Sequence, residues 1–148
     1  MKPIGKLNMM TMMKIENKKT RFEYTFLETY EAGIVLTGME VKSIRLGNVS
    51  LTDTYCYFKD DELFVKNISI SLANGEPKRE RKLLLKKSQL RKLKSKLING
   101  LTIVPTKIYF NERNLIKVEI VLAQGKKIHD KRESIKTRDI QRDIQRNN

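Results

Sequence analysis

Residues 101–122 read Leu-Thr-Ile-Val-Pro-Thr-Lys-Ile-Tyr-Phe-Asn-Glu-Arg-Asn-Leu-Ile-Lys-Val-Glu-Ile-Val-Leu. Apolar residues fall at alternate positions on both sides of Asn111-Glu112-Arg113-Asn114, which is rich in turn formers. A period of two belongs to a strand with one buried face, so 101–110 and 115–122 predict a hairpin. Pro105 has no N–H for a strand ladder and predicts an edge or a bulge. The same pattern extends towards the N-terminus. Tyr55 and Tyr57 alternate with Cys56 and Phe58, Lys59-Asp60-Asp61 makes a turn, and 63–72 alternates around Val65, Ile68 and Ile70: a second hairpin. Phe22, Tyr24 and Phe26 predict a further strand, and 34–37 another. Two stretches break the alternation. Val41 and Ile44, three apart between Gly38 and Gly47, predict a short helix over 38–46. Ser88 can cap a second, with Leu90, Leu93 and Leu97 on one face and Asn99-Gly100 as its stop. About six strands and two or three short helices predict a mainly β fold, a small closed β-barrel across 20–123. An oligonucleotide-binding (OB) type barrel leads; alternation does not separate it from an SH3-like one.

Charge narrows what such a fold would meet. The 148 residues carry 31 Lys+Arg against 17 Asp+Glu, a formal net charge of +14. The excess is uneven: residues 1–21 are net +5, 22–77 net −5, 78–96 net +9 and 126–146 net +4. Separate basic segments around an acidic body favour a polyanionic partner, because lysines and arginines that neutralise phosphates release condensed counterions. A merely soluble surface or an anionic membrane surface is the competing reading. No apolar run approaches the ~18 residues of a spanning helix, and none follows Lys2 at signal-peptide length, which predicts a cytoplasmic protein. Cys56 is the one cysteine and His129 the one histidine, so neither an internal disulfide nor a zinc finger can be assembled. Neither metal nor cofactor is expected. Residues 1–16, with Met9, Met10, Met12 and Met13 out of any period, read as a flexible leader. Beyond Gly125, Ile128, Ile135, Ile140 and Ile144 stand among charges, so 125–148 reads as a basic tail, disordered alone and helical on a partner.

Five segments in order then carry a resemblance: Asn17-Lys18-Lys19-Thr20-Arg21, the run from Glu28 to Leu36, Gly38-Met39-Glu40-Val41-Lys42-Ser43, the run from Arg79 to Leu85, and Gly125-Lys126-Lys127 with His129-Asp130-Lys131-Arg132. Together they resemble the tmRNA-binding protein family, small protein B, over about 17–138. The resemblance implies an OB-fold RNA-binding domain over 17–124 and a trans-translation adaptor, not an enzyme. It would bind the tRNA-like domain of tmRNA, support its aminoacylation, and reach stalled ribosomes with elongation factor Tu. Its tail would occupy the decoding centre, formed by small-subunit rRNA, and the empty mRNA channel.

On that resemblance Asn17, Lys18, Lys19, Arg21, Glu31, Arg79, Arg81, Lys82, Lys126 and Lys127 are RNA-binding residues. The amide and cations suit phosphates and loop nucleotides, whereas Glu31 must accept from base or ribose donors; its plainer reading is a turn carboxylate. Leu83, Leu84 and Leu85 read as core. His129, Asp130, Lys131, Arg132, Ile135 and Lys136 form the decoding-site tail, with the imidazole able to stack on an exposed base. The chain departs from the family pattern at Gln124, where relatives usually have Lys; in the shortened loop 71–76, with Glu76 for the usual Asp; and in lacking an aromatic after Arg138. A general OB-fold RNA- or ribosome-binding protein without tmRNA specificity is the alternative. An RNA-cleaving enzyme finds little support: Asp53, Asp60, Asp61 and Glu62 come with no phosphate loop, and Cys56 lies far from His129.

Overall fold

The computed structural model describes residues 14–73, 75–97 and 100–126. In chain order these form β1 (Lys14–Glu16), α1 (Thr20–Glu23), β2 (Tyr24–Ile34), α2 (Gly38–Arg45), β3 (Val49–Ser50), β4 (Tyr55–Lys59), β5 (Glu62–Lys66), β6 (Ser69–Ile70), β7 (Arg81–Leu84), α3 (Lys87–Lys96), β8 (Thr102–Phe110) and β9 (Ile116–Gly125). Seven strands pair antiparallel in the order β1-β8-β4-β5-β7-β2-β9, and β8 pairs additionally with β9. β3 and β6 form a separate two-stranded sheet.

Both hairpins stand where the alternation puts them. Asp60, with φ 58°, turns β4 into β5. Between β8 and β9, Asn114 has φ 61°, and the Asn111 side-chain carbonyl accepts from the Arg113 and Leu115 N–H groups, each at 2.9 Å. The bulge expected at Pro105 is present: the register slips between Pro105 and Lys107.

Elsewhere the boundaries are corrected. Lys14–Glu16, expected within the leader, pair with β8. Phe22 is helical, because the Thr20 hydroxyl donates to the Asn17 carbonyl at 2.7 Å and the Lys19 carbonyl accepts from both Phe22 and Glu23. The strand begins at Tyr24 and runs unbroken to Ile34, so 34–37 is no strand of its own. Thr37 instead caps α2, exchanging hydrogen bonds with Glu40 in a capping box. The segment 63–72 is two strands, not one, because Asn67 takes the left-handed φ of 73° between them. α3 starts at Lys87, before Ser88, and the Gln89 side chain accepts from the Lys86 N–H at 3.1 Å.

The core lies inside the sheet. Leu63, Val65, Leu83, Ile103, Ile108, Val118, Ile120 and Leu122 contribute from the strands, Ile44 from α2 and Leu93 from α3. Each fully buried Leu or Ile contributes roughly 1.5–3 kcal/mol. A smaller cluster of Val104, Val121 and Ala123, covered by Tyr24 and Phe26, forms on the opposite face of the same strands. The β2 register slips between Phe26 and Glu28, so residues before and after that point serve different clusters.

Candidate nucleic-acid interface

One end of the molecule is cationic. The segment following β1 is pinned by the Asn17 N–H to Thr106 carbonyl bond at 2.8 Å and by the Asn17 side-chain amide to Leu51 carbonyl bond at 2.9 Å. Asn17 therefore holds the loop, and Lys18, Lys19 and Arg21 project from it exposed. Lys126, where β9 ends, joins them: its ammonium donates to the Arg21 carbonyl and its N–H to the Glu23 carbonyl, both at 2.9 Å. Residues a hundred positions apart thus share one electropositive rim.

A second surface covers the outer faces of β1, β8, β9, β2 and β7. Cross-strand registers set Lys14 against Tyr109, Tyr109 against Lys117, Lys117 against Gly33, and Gly33 against Leu84. The next row runs Glu16, Lys107, Glu119, Glu31. Glu31 therefore stands in mid-strand, not in a turn, and accepts a hydrogen bond from the Tyr109 hydroxyl. Burial first, and then the Glu31 carboxylate, push the Tyr109 hydroxyl well above the ordinary tyrosine range, so it stays a donor. The Lys107 ammonium lies 5.6 Å from the Tyr109 ring centroid and 3.6 Å from Glu119, which also accepts from the Thr106 hydroxyl at 2.5 Å. Leu83 is core as expected, but Leu84 is 50% exposed beside Gly33, where a Cβ would approach the Leu84 Cβ to 3.3 Å. Reading the sequence missed Lys14, Lys107, Tyr109 and Lys117. The signal was the outward parity of the second hairpin, which becomes a surface only once β1 and β2 are placed beside it.

The basic segment around β7 divides. Arg81, expected to face RNA, is 1% exposed, and this expectation is corrected. Its guanidinium donates to Glu40 at 2.6 Å and to the carbonyls of Ile68 at 2.8 Å, Pro77 at 3.0 Å and Arg79 at 3.2 Å. Arg79 joins the same carboxylate at 2.5 Å and is one-third exposed. Burial alone would raise the Glu40 carboxyl, but hydrogen bonds from Arg79, the Thr37 N–H and Arg81 outweigh it and hold it at about 2. Burial acts on Arg81 in the opposite sense and lowers it. Lys82 pairs with Glu62 at 3.0 Å. On α3, Lys92 and Lys96 both turn to Glu28, holding its carboxyl near 2 together with Tyr30, and Lys94 turns to Asp61. A cleft of about 600 Å³ between β7 and α3 is floored by Leu84, Leu85 and Leu90 and rimmed by Lys87 and Arg91.

Lys127, His129, Asp130, Lys131, Arg132, Ile135 and Lys136 lie outside the described residues. Among the described residues, no group of three His, Cys, Asp or Glu side chains could hold a metal ion, and no helix is long and apolar enough to cross a membrane. Cys56 is buried, and burial pushes its thiol far up, away from thiolate chemistry.

A small mainly β domain that gathers lysines, a tyrosine and three glutamates on one sheet face, next to a cationic rim, has the make-up of a nucleic-acid-binding module. The comparisons specify which. The family model described as "SmpB protein" matches residues 14–148, and the chain belongs to that family. It is 52% identical over 143 residues to the "SsrA-binding protein" of Phocaeicola vulgatus, covering 92% of this chain and 95% of that protein. It is 51% identical over 135 residues to the protein of the same description from Thermosipho melanesiensis, covering 86% and 92%. A solved structure described as "tmRNA-SmpB: a journey to the center of the bacterial ribosome" aligns with a TM-score of 0.66 at 47% identity, over 83% of this chain and 94% of the solved one.

Proposed function

We propose that this protein is the RNA-binding adaptor of trans-translation: it binds the tRNA-like domain of tmRNA and brings it to stalled ribosomes. The observation that carries this is the 52% identity to an SsrA-binding protein across nearly the whole of both chains. The Glu31–Tyr109 face and the cationic rim supply surfaces suited to the task. Lys14, Lys107 and Lys117 take phosphates, Tyr109 offers a ring for stacking, and Glu31 accepts from base or ribose donors. Lys18, Lys19, Arg21 and Lys126 extend the electrostatic contact, while Asn17 and Arg81 act as positioning residues.

The succession β8-β4-β5-β7-β2-β9, returning to β8 through the β8–β9 pairing, supports an OB-type barrel. Lys127, His129, Asp130, Lys131, Arg132, Ile135 and Lys136 are proposed to follow the decoding site and mRNA channel. Elongation factor Tu is proposed to meet the protein through aminoacylated tmRNA. The protein works in the cytoplasm as a binding protein without cofactor or catalysis.

The test is a gel shift against tmRNA and a tRNA of matched length, coupled to tagging of peptides on stalled ribosomes. Strong preference for tmRNA is expected; equal weak binding to both RNAs removes the proposal. Truncation after Lys126, which leaves the cationic rim whole, is expected to keep tmRNA binding and abolish tagging, whereas a general RNA-binding protein would lose affinity for every RNA alike.

A further inference from the structure

The outer face of the β4–β5 hairpin carries three rings that neither buried cluster uses. Cys56, Leu63 and Val65 take the inward positions, so Tyr55, Tyr57 and Phe64 face out. The Tyr55 and Tyr57 centroids are 5.9 Å apart; Tyr57 stacks against Phe64 at 6.2 Å with 30° between the planes. Lysines border them. Lys66 is the cross-strand neighbour of Tyr55, Lys82 that of Phe64, and the Lys59 ammonium lies 5.9 Å from the Phe64 centroid. Tyr55, 41% exposed, also lines a cleft of about 250 Å³ with Tyr24, Asn17 and Lys19, which ties the stripe to the cationic rim.

We propose that this aromatic stripe stacks unpaired bases of single-stranded RNA that enters from the rim at Lys19. The inference rests on the RNA-binding reading above. Every base has a π-face, so rings on alternate strand positions, about 6.7 Å apart along the chain, can each receive a base without reading sequence. Lys59, Lys66 and Lys82 stand where the accompanying phosphates would pass; for a protein partner the same three ammonium groups would border an apolar contact with charge. The acidic neighbours define the path. Glu62 is neutralised by Lys82 at 3.0 Å, Asp61 by Lys94 at 2.8 Å, and Glu80 faces Lys59 at 4.0 Å, but Asp60 at the turn repels phosphate. The strand therefore crosses near Tyr55, and its affinity comes from stacking more than from counterion release.

Photo-crosslinking of the full-length protein, with a 4-thiouridine-labelled hexauridylate and separately with labelled tmRNA, tests this by mapping the crosslinked peptides. Crosslinks on Tyr55, Tyr57 or Phe64 are expected. Hexamer binding should change little with salt and fall roughly five-fold or more per ring in Tyr57→Leu and Phe64→Leu, which preserve apolar bulk. Tyr55→Leu, at the most exposed ring, serves should the other two misfold. If tmRNA binds and crosslinks only through the Glu31–Tyr109 face or the rim, the stripe proposal falls and the adaptor reading stands. If tmRNA itself fails to bind, the adaptor reading falls too. If a photoreactive residue placed at position 55 reacts in the ribosome complex with protein and not RNA, the face is a protein interface and the proposal is overturned.

Discussion

The Glu40–Arg79–Arg81 cluster and the Glu31–Tyr109–Lys117 face use the same residue chemistry for opposite ends. In the first, an acid sealed from water is satisfied by two guanidiniums and a capped helix, and Arg81 distributes its donors over three carbonyls of the 68–79 segment. In the second, an acid of one strand accepts from a tyrosine of another under open solvent, with lysines left to neighbour it. Taking two charges out of water is costly unless their geometry and hydrogen bonds are complete, so the first cluster is fragile to the loss of one partner. Exposed charges lose little when one is removed. The difference teaches that a basic segment is not a binding segment residue by residue; burial sorts its members.

The largest effect should come from breaking the buried cluster. Arg81→Ala leaves Glu40 short of a partner in the interior and is expected to cost about 3–5 kcal/mol, read as a lowered denaturant midpoint; replacing Glu40 and Arg81 together by leucines should cost less than the single change. Acid comes next. Because the folded Glu40 carboxyl sits near 2 against its ordinary 4.5, its contribution is complete above about pH 4.5, wanes as pH falls, and is gone below about 2. The contribution amounts to about 3 kcal/mol, so Glu40→Gln should flatten the acid limb of a stability–pH curve even though it lowers stability at neutral pH.

On the open face the expected losses shift from folding to binding. Tyr109→Ala should weaken tmRNA affinity by about 1–3 kcal/mol if a base stacks there, while Tyr109→Phe, which loses only the hydroxyl bond to Glu31, should retain most of it. Lys117→Ala should lower affinity and reduce the salt slope by about 1, leaving the melting temperature nearly unchanged. Smallest of all is Lys82→Ala. Its solvent-exposed pair with Glu62 is worth about 0–1 kcal/mol, and a larger stability loss would erase the distinction between the two regions.

Legibility followed the range of the interaction involved. The hairpins and α2 were readable because period-two alternation, the Pro105 break and Gly47 act within a few residues. β2 was misread because Phe22, Tyr24 and Phe26 alternate as a strand should, yet Thr20 and Lys19 close a helical turn through backbone contacts that alternation does not register. The left-handed Asn67 was hidden inside an apolar run. At the candidate site, the family resemblance singles out Glu31 and the 17–21 cations, whose part in binding remains the proposal, but the companions of Glu31 come from β1, β8 and β9 and appear only in the pairing register. Arg81 was missed for the converse reason. Its acceptors lie at positions 40, 68, 77 and 79, and nothing in the string Arg-Glu-Arg-Lys marks its second arginine as internal.

The slip in β8 reaches further than its single extra residue. Ile103 points inward ahead of it and Ile108 inward behind it, an interval of five where an unbroken strand demands an even number. Excising Thr106 would bring the interval to an even four, so a regular strand would still hold Ile108 and Phe110 inward; straightening the strand with Thr106 retained would instead turn the following residues over, driving Lys107 and Tyr109 into the core and Ile108 and Phe110 into water. The placing of Tyr109 and Lys107 on the outer face is thus encoded as a parity, a property of counting that no tally of amino-acid types can contain.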